Sequence, residues 1–310
     1  MLSTVDIELS DANAMSETAA RQCPLCMASP AIVGKANYFD AAERYSTPVF
    51  YCKICEIYGR AVSPAQVRSH IPATSYVQPQ SESKWHQARA GFFEYILNVA
   101  NRHLAKSDRQ LLLADFGSAY GHLLDIAARR GFKSTGIEVS PRLVEITRSR
   151  GLSVVESIEE VQGDLDVVTL IDSLYLIQNP VALMSKIGER LREGGIAIIR
   201  ITNRNWIAGM KTMFDKDPDL SVLGDAIFSY SLHGLEKLLS QSGMKVVRVI
   251  PDGGAGKKAK WTKALGYKAL SAISRLSAHS LLVSPGLIVV ATRSFTSLKD
   301  RAAQQAVPTC

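Results

Sequence analysis

The sequence predicts an α/β protein: a doubly wound, mostly parallel sheet of seven strands with a small cysteine-bearing segment ahead of it. Three observations lead there. From residue 111 onward, short apolar runs alternate with stretches of helical periodicity. The first such unit, Leu111 to Arg130, is an apolar run, a glycine-containing turn and a helix start. The near-continuous apolar run from Asp166 to Ile171 suits a strand buried on both faces of a parallel sheet.

The chain has 310 residues, 46% of them hydrophobic, enough for one large domain and a small one. No run of 18 apolar residues occurs, so no membrane-spanning helix is expected. Residues 1–20 carry Asp6, Glu8, Asp11 and Glu17 and no Lys or Arg, which is wrong for a secretory or organellar signal. They read as a disordered acidic leader on a cytoplasmic protein.

Cys23-x-x-Cys26 and Cys52-x-x-Cys55 form two knuckles separated by twenty-five residues. Four thiolates in such pairs can converge on Zn²⁺ in a closed, structural site. Two disulfides would also use four cysteines, but the cytoplasm disfavours them. Alternation over Thr47 to Tyr51 suits a strand leading into the second knuckle, which makes 21–60 a zinc-ribbon segment. Cys310, at the end of the chain, has no evident partner.

Residues 61–84, broken by Pro64, Pro72 and Pro79, read as a linker. A helix is expected from Trp85 to His103, with Phe92, Phe93, Ile96, Leu97 and Val99 on its apolar side.

The turn after Leu111-Leu112-Leu113-Ala114-Asp115 carries Gly117, Ser118 and Gly121, and His122 to Arg130 follows as a helix. Glycine at 117 allows a tight turn, and glycine at 121 lets a ligand or a strand come close. A nicotinamide-binding turn would read G-x-G-x-x-G, which this one does not. Asp115 at the strand tip would repel a pyrophosphate and suit an ammonium group. A ligand-free α/β turn would look the same on this stretch alone.

Ser134 to Glu138 reads as the second strand. Ser140 caps the helix from Pro141 to Arg150. Glu138, 23 residues beyond Asp115, is placed to accept from ribose hydroxyls. Ser153 to Val155 is a third strand, and Glu156-Ser157-Ile158 after it should border an adenine. Asn179 to Arg192 reads as a helix, Gly194-Gly195 as a turn into the strand from Ile196 to Ile201, and Leu232 to Gln241 as a helix. Strands from Lys245 to Ile250 and from Pro285 to Ala291 close the sheet.

The D-x-G-x-x-x-G pattern of Asp115, Gly117 and Gly121, with Glu138 downstream, resembles class I S-adenosylmethionine-dependent methyltransferases. Leu191 to Arg200 resembles that family's L-x-x-G-G turn into a strand, and Asn203 its strand-end asparagine. Tyr230-Ser231 and the Leu235 to Leu239 helix follow in the family's order. With the knuckles, the chain looks like the zinc-ribbon-bearing methyltransferases of polysaccharide, lipid and secondary metabolism. The resemblance implies a Rossmann-like domain over 85–294, an antiparallel last strand and a C-terminal tail over 295–310. It also implies that Asp115, Gly117, Ser118 and Gly121 hold the methionine part of S-adenosylmethionine, Glu138 the ribose and Ser157 the adenine border. A helix at 85–103 covers the cofactor in that family; packing on the sheet is the alternative.

The chain departs from the family after the fourth strand. Tyr175 and Leu176 stand where a Glu-His pair is usual, so no catalytic base carries over. Asp172, Tyr175, His122 and His233 are the candidates from position, with Asp172 nearest the expected methyl group. Transfer to a small metabolite, sugar or lipid-linked acceptor is the reading. A non-catalytic cofactor-binding or scaffold protein and a nicotinamide-dependent oxidoreductase are the alternatives.

Between 245 and 275, eight basic residues face only Asp252, an excess equal to the whole chain's +7. Trp261, Leu265, Ala269, Ile273 and Leu276 recur there at helical spacing. This insertion, 255–282, reads either as a peripheral contact with the anionic inner face of a membrane or as an apolar face packed on the domain. A clamp on a phosphorylated substrate is a further use. No aromatic stacking motif supports nucleic acid.

Overall fold

The computed structural model describes residues 22–39, 44–62, 82–104, 108–252, 261–276 and 283–294. The leader, most of the linker, the flanks of the basic insertion and the tail with Cys310 lie outside them. In chain order the elements are β1 (Ile32–Phe39), β2 (Arg44–Cys52), β3 (Ile57–Arg60), α1 (Glu82–His103), β4 (Leu112–Phe116), α2 (His122–Arg129) and β5 (Lys133–Ile137). Then come α3 (Pro141–Ser149), β6 (Val154–Val155), β7 (Leu165–Ile171), α4 (Pro180–Arg190), β8 (Leu191–Thr202) and α5 (Asn205–Phe214). Last are β9 (Phe228–Tyr230), α6 (Leu232–Gln241), β10 (Met244–Asp252), α7 (Trp261–Leu276) and β11 (Gly286–Arg293).

Seven strands form the main sheet in the order β10-β11-β8-β7-β4-β5-β6. The pairings β4–β5, β4–β7, β5–β6 and β7–β8 are parallel, and β11 runs antiparallel to both neighbours. The expected reversed last strand is therefore present. Strand order turns around between β4 and β7, the point at which open α/β sheets bind ligands beyond their carboxyl ends.

Local chemistry sets the helix starts. Pro141 and Pro180 occupy first helical positions, and the Asn179 side chain accepts from the Ala182 N–H at 3.2 Å. Ser231 caps α6 by accepting from the Gly234 N–H at 3.0 Å. The helix expected to run to Arg192 stops at Arg190, because Leu191 already pairs with Leu165 at the start of β8. α1 begins at Glu82, three residues before the expected Trp85.

One core lies between α1, α2 and the sheet, built on Phe92, Ile96, Leu97, Leu123, Ile126 and Val167. The core on the other face joins Met184, Leu235 and Leu238 to Ile199 and Val289, and continues into Phe50, Ile57 and the cysteines. That continuity reflects a second sheet, β1-β2-β3-β9, in which a strand from the far end of the chain pairs with the ribbon. Ile57, Tyr58 and Gly59 lie opposite Tyr230, Ser229 and Phe228. The buried Arg60 fastens the joint: its Nε donates to Ala226 O at 2.9 Å, and its guanidinium also reaches Thr47 and the Gly224 carbonyl.

Candidate functional site

Asp115 lies in register with Gly136 of β5 and Thr169 of β7 at the carboxyl end of β4. It is buried, and its hydrogen bond among the described residues comes from Thr169, whose hydroxyl donates to Oδ1 at 2.7 Å. Burial lifts its carboxyl to about 7; the Thr169 bond opposes the rise and the charge of Glu138 adds to it. A carboxylate at the opposite edge of the sheet is handled differently. Asp166 at the start of β7 receives Arg109 on both oxygens, Arg192, and the Leu112 N–H at 2.7 Å. Burial would raise Asp166, but these partners hold it below the usual range. Asp166 is a satisfied structural anion, whereas Asp115 is a buried acid still short of positive charge, its burial only partly offset by the Thr169 bond and the charge of Arg89. That shortage fits an ammonium group.

Glu138, just beyond β5, is also buried. Its Oε2 accepts from the Ala119 N–H at 2.9 Å, and its Oε1 from Val139 and Ser140, each at 2.9 Å. Burial still raises its pKa against these bonds. A carboxylate offers about four acceptor positions, so Glu138 holds the glycine turn against the start of α3 and keeps one for a ligand. The expected grip on both ribose hydroxyls requires one backbone amide to give way.

The turn itself departs in part from its expected use. Gly117 and Gly121 have φ of 75° and 72°. A Cβ at Gly117 would sit 2.7 Å from the Ser173 Cβ, and one at Gly121 would meet Leu152 at 2.8 Å and Thr147 at 3.0 Å. Gly121 thus serves packing of α3. The Gly117 and Ser118 N–H groups donate to Ile137 O, at 2.8 and 3.3 Å. The Ser118 hydroxyl is buried against Gly136, under the turn. The Ser173 hydroxyl, facing Gly117 from the β7 tip, is buried with no hydrogen-bond partner among the described residues. It is an orphan polar group on this cleft that the sequence did not mark.

Asp172 follows β7 with φ of 58° and is paired with Arg89 of α1 and Arg200 of β8. Arg200 also donates to Asp252 through Nε at 3.1 Å and a terminal nitrogen at 2.9 Å. Burial alone would raise the Asp172 carboxyl, but the charges of Arg200 and Arg89 overcome it and lower it. It is a fixed anion rather than a proton acceptor. Burial, then the charges of Asp225 and Asp172, push the Tyr175 phenol well above its usual range. His122, first residue of α2, is buried beside Tyr120, and its Nδ1 lies 3.4 Å from the Arg150 guanidinium. A guanidinium only donates, so that nitrogen is an acceptor. Ser157 spends its hydroxyl on Glu160 at 3.0 Å, capping a short turn. His233 lies in the first turn of α6. The structure thus gathers Asp115, Glu138, Gly117 and Asp172 around the β4 and β7 tips with Arg89, Arg200, Thr169 and Ser173. Arg200, a charge inside the apolar run of β8, was the visible signal for that group. The apolar side of α1 packs on the sheet, and its Arg89 bonds Asp172 at the β7 tip.

The four cysteine sulfurs lie within 4.8 Å of one another, with Cys26 and Cys52 at 3.6 Å. Tetrahedral Zn²⁺ with Zn–S bonds of about 2.3 Å needs S···S spacings of ~3.8 Å, so the donors fit that ion. The residue after each knuckle, Met27 and Glu56, takes the same left-handed turn, φ of 56° and 51°. Burial lifts the Cys55 thiol to about 11 and Cys23 higher still. α6 is built against this cluster: Gln241 donates to Leu25 O at 2.7 Å, and a Cβ at Gly234 would come within 2.6 Å of the Cys55 carbonyl.

Comparison with known proteins follows from this geometry. Residues 85–249 match a family model described as a methyltransferase domain. A ubiquinone biosynthesis O-methyltransferase of Xanthomonas oryzae is 30% identical over 101 residues, 29% of this chain and 42% of that protein. The mitochondrial one of Candida albicans is 26% identical over 154 residues, 45% of each chain. This chain therefore spans less than half the length of these relatives. Among solved structures, a S-adenosylmethionine-dependent methyltransferase from Clostridium acetobutylicum aligns over 66% of this chain and 92% of its own, with 12% identity and a TM-score of 0.46.

Proposed function

The chain belongs to the methyltransferase-domain family, and we propose that it is an S-adenosylmethionine-dependent methyltransferase whose cofactor lies across the β4 and β5 tips, with Asp115 taking the α-ammonium and Glu138 the ribose. Membership in this family replaces the nicotinamide-dependent alternative. The observation that carries the proposal is a buried Asp115 carboxyl lifted to about 7, its burial only partly offset by the Thr169 hydroxyl and the charge of Arg89.

S-adenosylmethionine supplies a methyl group on a positively charged sulfur. The chain's task is then to hold an acceptor in line and exclude water. An acceptor that is a small metabolite, sugar or lipid-linked molecule is the proposal; the O-methyltransferase relatives support oxygen as its atom. A cavity of about 530 Å³ between the ribbon sheet and α5 suits a flat or ring-shaped body. Tyr51, Tyr58 and Trp206 offer faces for the ring, and Lys53 and Glu56 offer polar partners for its edge. Trp206→Ala should raise KM for the acceptor about tenfold and leave affinity for S-adenosylhomocysteine unchanged. Steady-state kinetics beside calorimetry read both.

Asp172 and Tyr175 act here by position. Asp172, locked between two guanidiniums, fixes α1 over the cleft, and Tyr175 remains a protonated donor. Asp172→Asn should lower kcat about tenfold while the pH dependence of kcat keeps its limbs. A displaced acid limb would instead make Asp172 the base.

A second reading, cofactor binding without transfer, rests on the same observation that Asp172 and Tyr175 are poor bases. Calorimetry with S-adenosylhomocysteine, followed by methyl transfer from labelled cofactor to a panel of hydroxylated metabolites and sugars, separates the two. Binding without turnover of any acceptor selects the second reading, and no binding overturns both.

A further inference from the structure

The basic insertion carries the strongest unassigned surface. α7 turns serines inward: Ser271 and Ser274 are buried, and the Ser274 hydroxyl accepts from the Val283 and Ser284 N–H groups, each at 3.0 Å. Its apolar residues face outward, with Leu265 61% and Leu276 88% exposed and Ile273 exposed as well. At about 100° per residue, positions 265, 269, 273 and 276 share one face and the two serines the opposite one. The expectation of an apolar face packed on the domain is thereby corrected; the amphipathic sense of this helix is inverted.

A second helix behaves alike. In α5 only Ala208 is buried, while Met213 is 75% and Phe214 84% exposed. Both helices leave the same end of the sheet. α5 follows Thr202 and α7 lies between Asp252 and Gly286, and Thr202 and Asp252 both pair with Gly286. Asn203 ties the two exits, donating from its backbone to Pro285 O at 3.0 Å and from its side chain to Ser284 O at 2.9 Å.

The charge of this segment is unbalanced in its sequence. Its one acid, Asp252, is buried and held by Arg200, so eight basic residues have no acid of their own segment to offset them. Lys268 is exposed beside the apolar stripe. A second copy of the chain would cover the stripe but set two sets of eight cations together. A nucleic acid would meet the cations and leave Leu265, Ile273 and Leu276 in water. An anionic bilayer uses both features.

We infer that α7, with α5 beside it in the chain's exit from the sheet, is a peripheral docking face for anionic membranes. The stripe enters the headgroup boundary, the lysines meet lipid phosphates, and the carboxyl end of the sheet is held at the bilayer. No described helix is long and apolar enough to cross it.

Co-sedimentation of the full chain with phosphatidylcholine vesicles, with and without about one-third phosphatidylglycerol, tests this at low and high salt. The chain should pellet with the anionic vesicles at low salt, at least tenfold more tightly than with neutral ones, and be released by salt. Leu265→Glu with Leu276→Glu should weaken binding at least tenfold, and Lys268→Glu roughly fivefold. All three positions are exposed, and unchanged affinity for S-adenosylhomocysteine shows that the variants fold. Absence of sedimentation with anionic vesicles at low salt overturns the inference. So does binding that survives the double substitution, or a wild-type dimer that the same substitutions dissolve without any vesicle binding.

Discussion

Asp115→Asn should bind S-adenosylhomocysteine about 150-fold more weakly than the natural protein and yet melt at a higher temperature in the absence of ligand. Both effects have one cause. The amide keeps the shape of the side chain and the bond from Thr169, but it removes a buried negative charge that the charge of Arg89 only partly offsets. Losing one partner of a buried pair costs about 3 kcal/mol of binding, roughly 150-fold. The unliganded fold, by contrast, is relieved of a desolvated carboxylate. The sign with pH follows. A carboxyl raised from 3.8 to about 7 in the fold contributes stability below the unfolded value, and that stability is lost as pH rises through 7. The ligand needs the charged form, so its affinity should rise with pH, about tenfold per unit between pH 5 and 7, and level off above. Calorimetric titrations of both proteins across that range check each part. A flat pH profile in the natural protein, or an unchanged affinity in Asp115→Asn, would remove Asp115 from the cofactor site.

The sequence could show Asp115 because it is a lone acid at the end of an apolar run, and Glu138 because it ends the next short strand, 23 residues further on. The main sheet was legible for the same reason: β4, β7 and β8 are apolar runs whose period does not depend on what they pair with. β9 was not legible as a strand. Phe228, Ser229 and Tyr230 are too few to show a period, and their partner strand lies some 170 residues earlier. α5 escaped because its apolar residues Met213 and Phe214 face away from the core, so no inward stripe marks it. The roles of Ser118 and Ser157 shifted for another reason: the Ser157 hydroxyl is taken by Glu160 within its own turn, and the Ser118 hydroxyl is buried under the glycine turn, neither of which spacing reveals. Arg89 and Arg200 neutralise Asp172 across three separate elements, a relation that only the assembled sheet creates.

Removing the metal that the four cysteines fit should disturb the fold far beyond the ribbon. The reason is the composite sheet. In a freestanding ribbon, metal loss would cost only that module. Here β3 pairs with β9, the Arg60 N–H donates to Ile227 O at 2.8 Å, and the Ile227 N–H donates to Tyr175 O at 2.8 Å. Arg60, at the end of the strand that follows Cys55, is thus two hydrogen bonds from Tyr175 in the turn after β7, beside Asp172. Tyr230, buried with no partner for its hydroxyl among the described residues, lies near enough to Cys23 for a charge there to push its phenol up, after burial itself. Structural zinc supplies about 10–16 kcal/mol to small zinc modules. A loss of even ~4 kcal/mol of native stability lowers Tm by roughly 10 °C in a chain of this size. The expected result is therefore one zinc per chain by elemental analysis, with a fall in Tm of about 10 °C or more on chelation or in Cys52→Ser. Acceptor KM should rise in step, while S-adenosylhomocysteine affinity, set on β4 and β5 at the other side of β7, changes little. Cys52→Ser that keeps the natural Tm and KM would reduce the cluster to four neighbouring thiols with no structural duty. If cofactor affinity fell as far as KM rose, the damage would lie in the whole sheet rather than in the path from β3 through β9 to Tyr175.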